Sequence, residues 1–175
     1  MKAERSLKSR ALQLLAQRDQ SRLELRRKLL RHGRAVATEA FGQDDADPGA
    51  IAGEIDALLD WLEANGFLSD ARFAEARVHA RQSRFGILRI KSELAQHAVG
   101  LSAEMAQSLA ESELERAAEV RARRFARLPV DAAERAAQSR FLLGRGFAPE
   151  LVQRLMRRLG RPGPPGREVE AESGV

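Results

Sequence analysis

The residues of this chain that are best suited to chemistry are arginines, and they recur at helical spacing in three rows. A guanidinium group directs a planar fork of N–H donors at a carboxylate or a phosphate, so such rows indicate contact with an anionic partner. The candidate contact residues are Arg22, Arg26, Arg27 and Arg31 in the first row, Arg77, Arg81 and Arg84 in the second, and Arg154, Arg157 and Arg158, followed by Arg161, in the third.

The second row has the most regular spacing. Its three arginines follow the pattern i, i+4, i+7, which places them on one line about 10 Å long on a helix. A helix core would not tolerate three uncompensated charges, so the line should face outward. Glu75 is only two residues from Arg77 and cannot pair with it along the helix. Two alternatives remain: the arginines are solvated helix faces, or the acids Asp44, Asp45 and Asp47 fold back onto them.

Other kinds of chemistry find little support in the sequence. The chain has no cysteine, which excludes disulfides and zinc–thiolate sites, and its three histidines are scattered. The segment "DADPGA" resembles the start of a calcium loop, but Gly49 and Ala50 stand where a ligand and a glycine are needed. No phosphate-binding loop, dinucleotide fingerprint or HExxH motif is present. We therefore expect no catalytic residue, no metal and no cofactor.

The elements that must position the arginines are predicted to be helices. Hydrophobic residues make up 43% of the 175-residue chain but aromatic residues only 5%, and much of the apolar content is alanine and leucine. Such a composition, without sustained period-two alternation, favours an all-α fold. No apolar run approaches the roughly 20 residues of a membrane span. The basic amino terminus lacks the apolar run of a signal peptide, so we expect a cytoplasmic protein.

The net charge of +5 is unevenly distributed. Residues 1–34 hold 11 Lys/Arg against 3 Asp/Glu, and residues 114–161 hold 12 against 5. Residues 35–60 hold seven acids and no base. Two basic regions separated by an acidic one indicate a polyanion or an acidic protein as partner.

Several local signals predict where helices begin and end. "SRLE" at residues 21–24 has the form of a capping box, and Gly33 is placed to end the helix that follows. The acidic segment 35–50 is rich in Gly, Pro and Asp, and we expect it, like the tail 162–175, to be mobile. Trp61 lies near an apolar helix face, which favours core packing over base stacking.

The chain repeats itself three times. When Leu29 is placed against Leu94 and Leu142, Leu25 meets Ile90 and Gln138, at intervals of 65 and 48 residues. A period near 50 with three helices in each period predicts nine main helices in an elongated, curved array of three tandem three-helix repeats. The expected units are residues 1–66 with an acidic insertion at about 35–50, residues 67–113, residues 114–161, and a tail at 162–175.

Four segments together resemble the bacterial RecX family: "RSLKSRALQLLAQRDQSRLELRRKLLRHG", "WLEANGFLSDARFAEARVHARQSRFG", "IKSELAQHAVG" and "RFLLGRGF". The resemblance covers roughly residues 5–33 and 54–160. It implies three tandem three-helix repeats and a monomeric regulator of the RecA recombinase, acting in recombination and the SOS response. Such a protein would bind along the groove of the RecA–DNA filament, suppress ATP hydrolysis and strand exchange, promote disassembly, and bind DNA directly only weakly. In the family, the first glycine usually leads almost directly into the third helix, whereas residues 34–50 intervene here.

Two other classes of function remain open from the residues alone. The first is a direct DNA-binding protein that uses its basic helices without RecA, for example a helix-turn-helix-like pair at residues 134–159. The second is an enzyme such as a carboxylate-dependent nuclease, which the lack of convergent acids disfavours.

Overall fold

The computed structural model describes residues 6–41 and 47–160, and within these ranges the chain is entirely helical apart from turns. The all-α prediction is therefore confirmed. No helix in the described ranges is both long and apolar enough to cross a membrane. The eight described helices are α1 (Leu7–Gln17), α2 (Arg22–Phe41), α3 (Pro48–Ala64), α4 (Asp70–Arg81), α5 (Ile87–Ala95), α6 (Ala103–Arg124), α7 (Ala132–Gly144) and α8 (Pro149–Leu159).

Three separate hydrophobic clusters follow one another along the chain. The first joins α1, α2 and α3, the second joins α4, α5 and the first half of α6, and the third joins the second half of α6 with α7 and α8. A succession of small cores shared between neighbouring units is the organisation of a repeat array. At the centres of the three clusters lie Leu29, Leu94 and Leu142, each 0% exposed.

The register of the three repeats is confirmed by burial. Leu25 and Ile90, which the alignment pairs, are fully buried, and their third counterpart, Gln138, is buried as well. A buried amide needs a hydrogen-bond partner. Gln138 has one, because its Oε1 accepts from Nε of Arg121 at 2.8 Å. The third repeat thus replaces one aliphatic contact with a polar one at the same position.

Helix α6 corrects the expected number of helices. The predicted boundary between the second and third units lies between residues 113 and 114, but α6 runs through it without a break. It contains no glycine or proline to end it, and most of its residues favour helix. Leu109 packs in the second cluster, whereas Ala117 and Val120 pack in the third. One helix therefore serves two repeats, and the described residues form eight helices where nine were expected.

Helix α2 is longer than predicted. Gly33 does not end it, because α2 continues to Phe41, and α3 already begins at Pro48. Residues 35–41 and 48–50 are therefore helical. The mobility of the segment 35–50 stays a prediction, and residues 42–46 and the tail 162–175 lie outside the described ranges. A Cβ at Gly33 would lie 3.0 Å from Cγ2 of Ile51. The glycine thus lets α3 approach α2 closely.

Three helices are each followed by a residue in the left-handed backbone conformation. Gly66, Ala98 and Gly146 have φ of 74°, 58° and 81°. In each case the next residue's N–H donates back to the carbonyl five residues earlier, the pattern of a Schellman ending. Ala98 adopts the conformation although a Cβ disfavours it.

Trp61 is not a core residue, and the prediction that it packs inside is wrong. It is 38% exposed on α3. Phe67 stacks on it with ring centroids 5.7 Å apart, and Nζ of Lys8 lies 3.7 Å from the centre of the Trp61 ring. The chain turns at Gly66, which brings Phe67 back over α3 and leaves Leu68 to enter the core. Both rings consequently stay at the surface.

A backbone junction fixes the third repeat against the second. N–H of Gly86 donates to the carbonyl of Arg145 at 3.0 Å, and N–H of Leu88 donates to the carbonyl of Gly146 at 3.1 Å. A Cβ on Gly86 would lie 2.2 Å from the Gly146 oxygen, so only glycine fits. Glu113 of α6 completes the junction, since its Oε1 accepts from N–H of Ile87 at 2.8 Å. That contact caps α5, whose own N-cap residue is glycine and has no side chain to do so.

Candidate anion-binding surface

Two arginines of the first predicted row form ion pairs within the protein, and the other two are exposed to solvent. Arg22 donates to Asp60 at 2.6 Å and to Glu63 at 2.7 Å, and Arg26 makes two hydrogen bonds to Asp56 at 2.6 and 2.8 Å. All three carboxylates belong to α3, so these two guanidinium groups join α2 to α3. The hydrogen bonds from Arg26 hold the pKa of Asp56 below its ordinary value, even though desolvation opposes the shift.

Arg27 and Arg31 form the outward part of the first row. Both are exposed, and neither makes an ion pair or a side-chain hydrogen bond with any residue in the described ranges. One turn before Arg27 in α2, Glu24 accepts from Arg18 and from Lys28. Burial alone would raise the pKa of Glu24, but these two cations lower it to about 2. The predicted capping contact is also present, because N–H of Glu24 donates to Oγ of Ser21 at 3.1 Å.

The second predicted row is not a line of unpaired charges. Nε of Arg81 lies 3.0 Å from Oε2 of Glu93, a carboxylate of α5, so Arg81 has a partner on a neighbouring helix although α4 itself offers none. Arg77 is half-buried, and its guanidinium lies 5.3 Å from the centre of the Phe73 ring. Arg84 lies beyond the end of α4 and is exposed. Only Arg84 therefore presents an unpaired charge at the surface.

His97 lies next to this row, in the turn after α5. Its ring centre is 5.0 Å from that of Phe73, and Nε2 is 3.5 Å from Nη2 of Arg77. Burial lowers the pKa of His97, and the positive charge of Arg77 lowers it further. Both causes favour the neutral imidazole, so His97 does not add a positive charge to this surface.

The third predicted row lies on α8, which separates apolar and basic residues onto opposite faces more completely than the other described helices do. Leu151, Val152, Leu155 and Met156 of α8 are buried in the third cluster. Arg154, Arg157 and Arg158 are exposed on the opposite side and make no ion pair with any described residue. Arg161 lies outside the described ranges. Of the three rows, this one keeps all its described arginines available to a partner.

Sequence reasoning missed a fourth group of arginines, which only the fold brings together. Arg84 after α4, Arg123 and Arg124 at the end of α6, and Arg145 after α7 line one cleft between the second and third repeats. They stand up to 61 positions apart in the sequence, so no local spacing reveals them. They come together because the two repeats contact each other where "RFG" at residues 84–86 lies against "GRG" at residues 144–146. Only knowledge of that contact would have revealed the group.

The arrangement as a whole suits the binding of anions. Guanidinium groups without carboxylate partners are exposed on α8 and on α2, and three of the four arginines of the inter-repeat cleft have no such partner. Within the described residues, no group of three His, Asp or Glu side chains is placed to hold a metal ion. What the surface offers a partner is therefore planar, permanently charged donors.

Comparison with known proteins identifies relatives along most of the chain. A family model described as the second three-helix domain of RecX matches residues 69–109, and one described as its third three-helix domain matches residues 111–156. The regulatory protein RecX of Ralstonia nicotianae is 45% identical over 153 residues, which cover 86% of each chain. That of Leptothrix cholodnii is 43% identical, covering 87% of this chain and 88% of its own. That of Chromobacterium violaceum is 35% identical, covering 87% and 90%.

Proposed function

This chain belongs to the RecX family, and from that premise we propose that it is a regulatory protein that binds the RecA recombinase and the RecA–DNA filament. Binding inhibits ATP hydrolysis and strand exchange by RecA, and so modulates homologous recombination and the SOS response. Its role is that of a binding protein in the cytoplasm, acting as a monomer without a cofactor, and not that of an enzyme. The name that the relatives carry, regulatory protein RecX, supports the regulatory role.

The observation that carries this proposal is the exposed face of α8. Three guanidinium groups stand there within five residues, on a helix whose other face is anchored in the third core. The anchored helix fixes the backbone that carries these side chains before a partner arrives, so binding does not have to order the backbone. An acidic protein surface or a nucleoprotein filament has the complementary charge.

The division into repeats supports the same function. We propose that residues 1–66, 67–113 and 114–161 act as three successive binding units along the filament. Each has its own small core, and the last two are held together by α6 and by the junction at Gly86. A periodic partner can be contacted at more than one unit, and several weak contacts on one chain add to the affinity.

The test is RecA-catalysed ATP hydrolysis on single-stranded DNA with increasing amounts of this protein. The unmodified protein should lower the rate. The variant Arg154→Glu/Arg157→Glu/Arg158→Glu should require about tenfold more protein for the same inhibition, a loss of about 1.4 kcal/mol in binding free energy. The fold should be retained, because none of these side chains pairs with a described residue.

The matched control is Arg22→Ala/Arg26→Ala, which removes arginines that α3 already neutralises. Its inhibition should change far less than that of the α8 variant once both proteins are shown to be folded by far-UV circular dichroism. Normal helicity with undiminished inhibition by the α8 variant would remove α8 from the contact surface. Absence of inhibition by the unmodified protein would overturn the proposed function itself.

A further inference from the structure

The cleft between the second and third repeats is built from the ends of three helices. Arg84 enters from the turn after α4, Arg123 and Arg124 from the end of α6, and Arg145 from the residue that caps α7. Val120 and Phe141, together with Ser83, complete its walls. None of the described residues that line the cleft is acidic.

Only one of these four arginines, Arg123, has a carboxylate partner among the described residues. Nη2 of Arg123 lies 3.1 Å from Glu119, and its Nη1 donates to the carbonyl of Ser83 at 3.0 Å. The side chains of Arg84 and Arg124 donate to no described residue. Arg145 meets only ring faces, 5.4 Å from the centre of Phe85 and 5.0 Å from that of Phe141.

Stabilisation of helix ends does not explain the remaining charges. Cations at helix C-termini satisfy terminal carbonyl groups and the helix dipole. Here Arg116, which lies half-buried behind the cleft, already donates to the carbonyls of Gln82 and Phe85, and Arg123 serves that of Ser83. Three guanidinium groups are therefore left over, although like charges gathered in one place repel one another.

A further cation is buried next in sequence to Val120, one of the residues that line the cleft. Arg121 is buried, and its guanidinium donates to the amide oxygen of Gln138 and to the carbonyl of Arg127. Both acceptors are neutral, so the charge of Arg121 is solvated by dipoles but not cancelled. Charge held in surroundings of low dielectric acts over a longer range than charge in water.

We propose that this cleft is a phosphate-binding site that holds the backbone of a nucleic-acid strand. Arg124 also lines a second cleft together with Arg127 and Glu134, and the Glu134 carboxylate there accepts from N–H of Val130. Several guanidinium groups in one cleft fit a polymer that carries one negative charge at each unit. A carboxylate side chain would occupy one planar fork and leave the other arginines unsatisfied.

The site goes beyond the proposed function, because it requires no recombinase and can be measured without one. It also depends on the fold in a specific way. The hydrogen bond from Gly86 to the carbonyl of Arg145 brings the segment that bears Arg84 next to Arg145. The contact of Arg123 with the Ser83 carbonyl brings the end of α6 to the same place.

The experiment measures binding of a fluorescein-labelled single-stranded oligonucleotide by fluorescence anisotropy, over a range of salt concentrations and without RecA. The variant is Arg84→Glu/Arg124→Glu. The matched control is Lys91→Glu/Arg140→Glu, which makes the same change in net charge at two exposed basic residues that do not line the cleft and pair with no described residue. Circular dichroism of both variants checks that the helices persist. RecA ATPase inhibition is recorded separately, so that failure of this site and failure of the proposed function give different results.

We expect the cleft variant to bind the oligonucleotide about tenfold more weakly than the control variant does. The slope of log affinity against log salt should fall by about 0.7 for each phosphate that the variant no longer neutralises. Equal reductions in affinity for the two variants would show that only net charge matters and would overturn the site. So would an unmodified protein that fails to bind the oligonucleotide at low salt. Competition by poly-glutamate as strong as that by unlabelled oligonucleotide at equal charge would assign the cleft to an acidic protein instead.

Discussion

Replacing Gly86 with alanine tests the backbone junction between the second and third repeats. Gly86 has φ −76° and ψ 167°, a conformation that alanine adopts without strain. At such a position the substitution ordinarily stabilises a protein by about 0.4–1 kcal/mol, because it restricts the unfolded chain. The contacts of the new methyl group predict the opposite sign.

The magnitude follows from the distances. The added Cβ would lie 2.2 Å from the Gly146 oxygen and 2.4 Å from N of Phe147, both backbone atoms that no rotamer change can move. Relief of the overlap requires the start of α5 to move away from the α7–α8 turn by about 1 Å. The hydrogen bonds from Gly86 and Leu88, now 3.0 and 3.1 Å long, would then be broken. Two hydrogen bonds contribute about 2 kcal/mol, and disturbed packing around buried Phe147 raises the expected destabilisation to about 2–4 kcal/mol.

The assay is urea unfolding followed by circular dichroism, with Gly100→Ala as the control. Gly100 lies in the turn after α5, and a Cβ there meets nothing within 4 Å. The control should therefore be as stable as the unmodified protein or slightly more stable. If Gly86→Ala were as stable as the unmodified protein, the close contact between the backbones at Gly86 and Gly146 would be refuted.

Three further predictions concern single side chains. Glu113→Ala should cost about 1–3 kcal/mol of unfolding free energy, because buried N–H of Ile87 loses its acceptor; Glu113→Gln, which keeps an acceptor oxygen, should cost less, and equal costs in urea titrations would contradict the capping role. The pKa of Glu24 is lowered to about 2, so Glu24 stabilises the fold above its unfolded pKa of 4.5 and loses that contribution as the pH falls toward 2. Because Arg18 is half exposed, we expect the contribution of Glu24 to the unfolding free energy to be about 1–3 kcal/mol. The unfolding free energy of Glu24→Gln should therefore depend less on acid pH than that of the unmodified protein. The pKa of His97 is lowered below 6.5, so the unfolded chain binds a proton more readily and stability should fall as the pH drops from 7.5 to 5.5; His97→Gln should flatten that part of the profile, and an unchanged profile would exclude His97 as its cause.

The sequence predicted a helical protein, and the signals for most of its helices are local. Capping serines at residues 69 and 102 and Pro149 in the first turn of α8 depend only on neighbours within a few residues. The errors occurred where a local signal competed with packing. Gly33 has the form of a helix end, but in α2 it provides room for Ile51 of a later helix. Trp61 is on an apolar helix, but the turn at Gly66 directs Phe67 onto it at the surface.

The candidate site was predictable only in part. The row on α8 needed no tertiary information, since the leucines and arginines of one short helix segregate by spacing alone. For the other rows, spacing shows that arginines share a face but not what lies opposite them. Arg22 meets carboxylates 38 and 41 positions away, Arg26 meets Asp56, and Arg81 meets Glu93 of the next helix. These pairs removed three arginines from the charge available to a partner.

The sequence by itself determined the helical class, the repeat register centred on Leu29, Leu94 and Leu142, and the family, because periodicity and motif order are properties of the chain alone. The tertiary structure decided which arginines are neutralised and which converge. It also decided that α6 belongs to two repeats, since both flanking cores bury parts of the same helix. The inter-repeat cleft exists because Gly86 lets two backbones come within hydrogen-bonding distance. Contacts between residues about 60 positions apart depend on how finished helices pack, and no local pattern in the sequence encodes that packing.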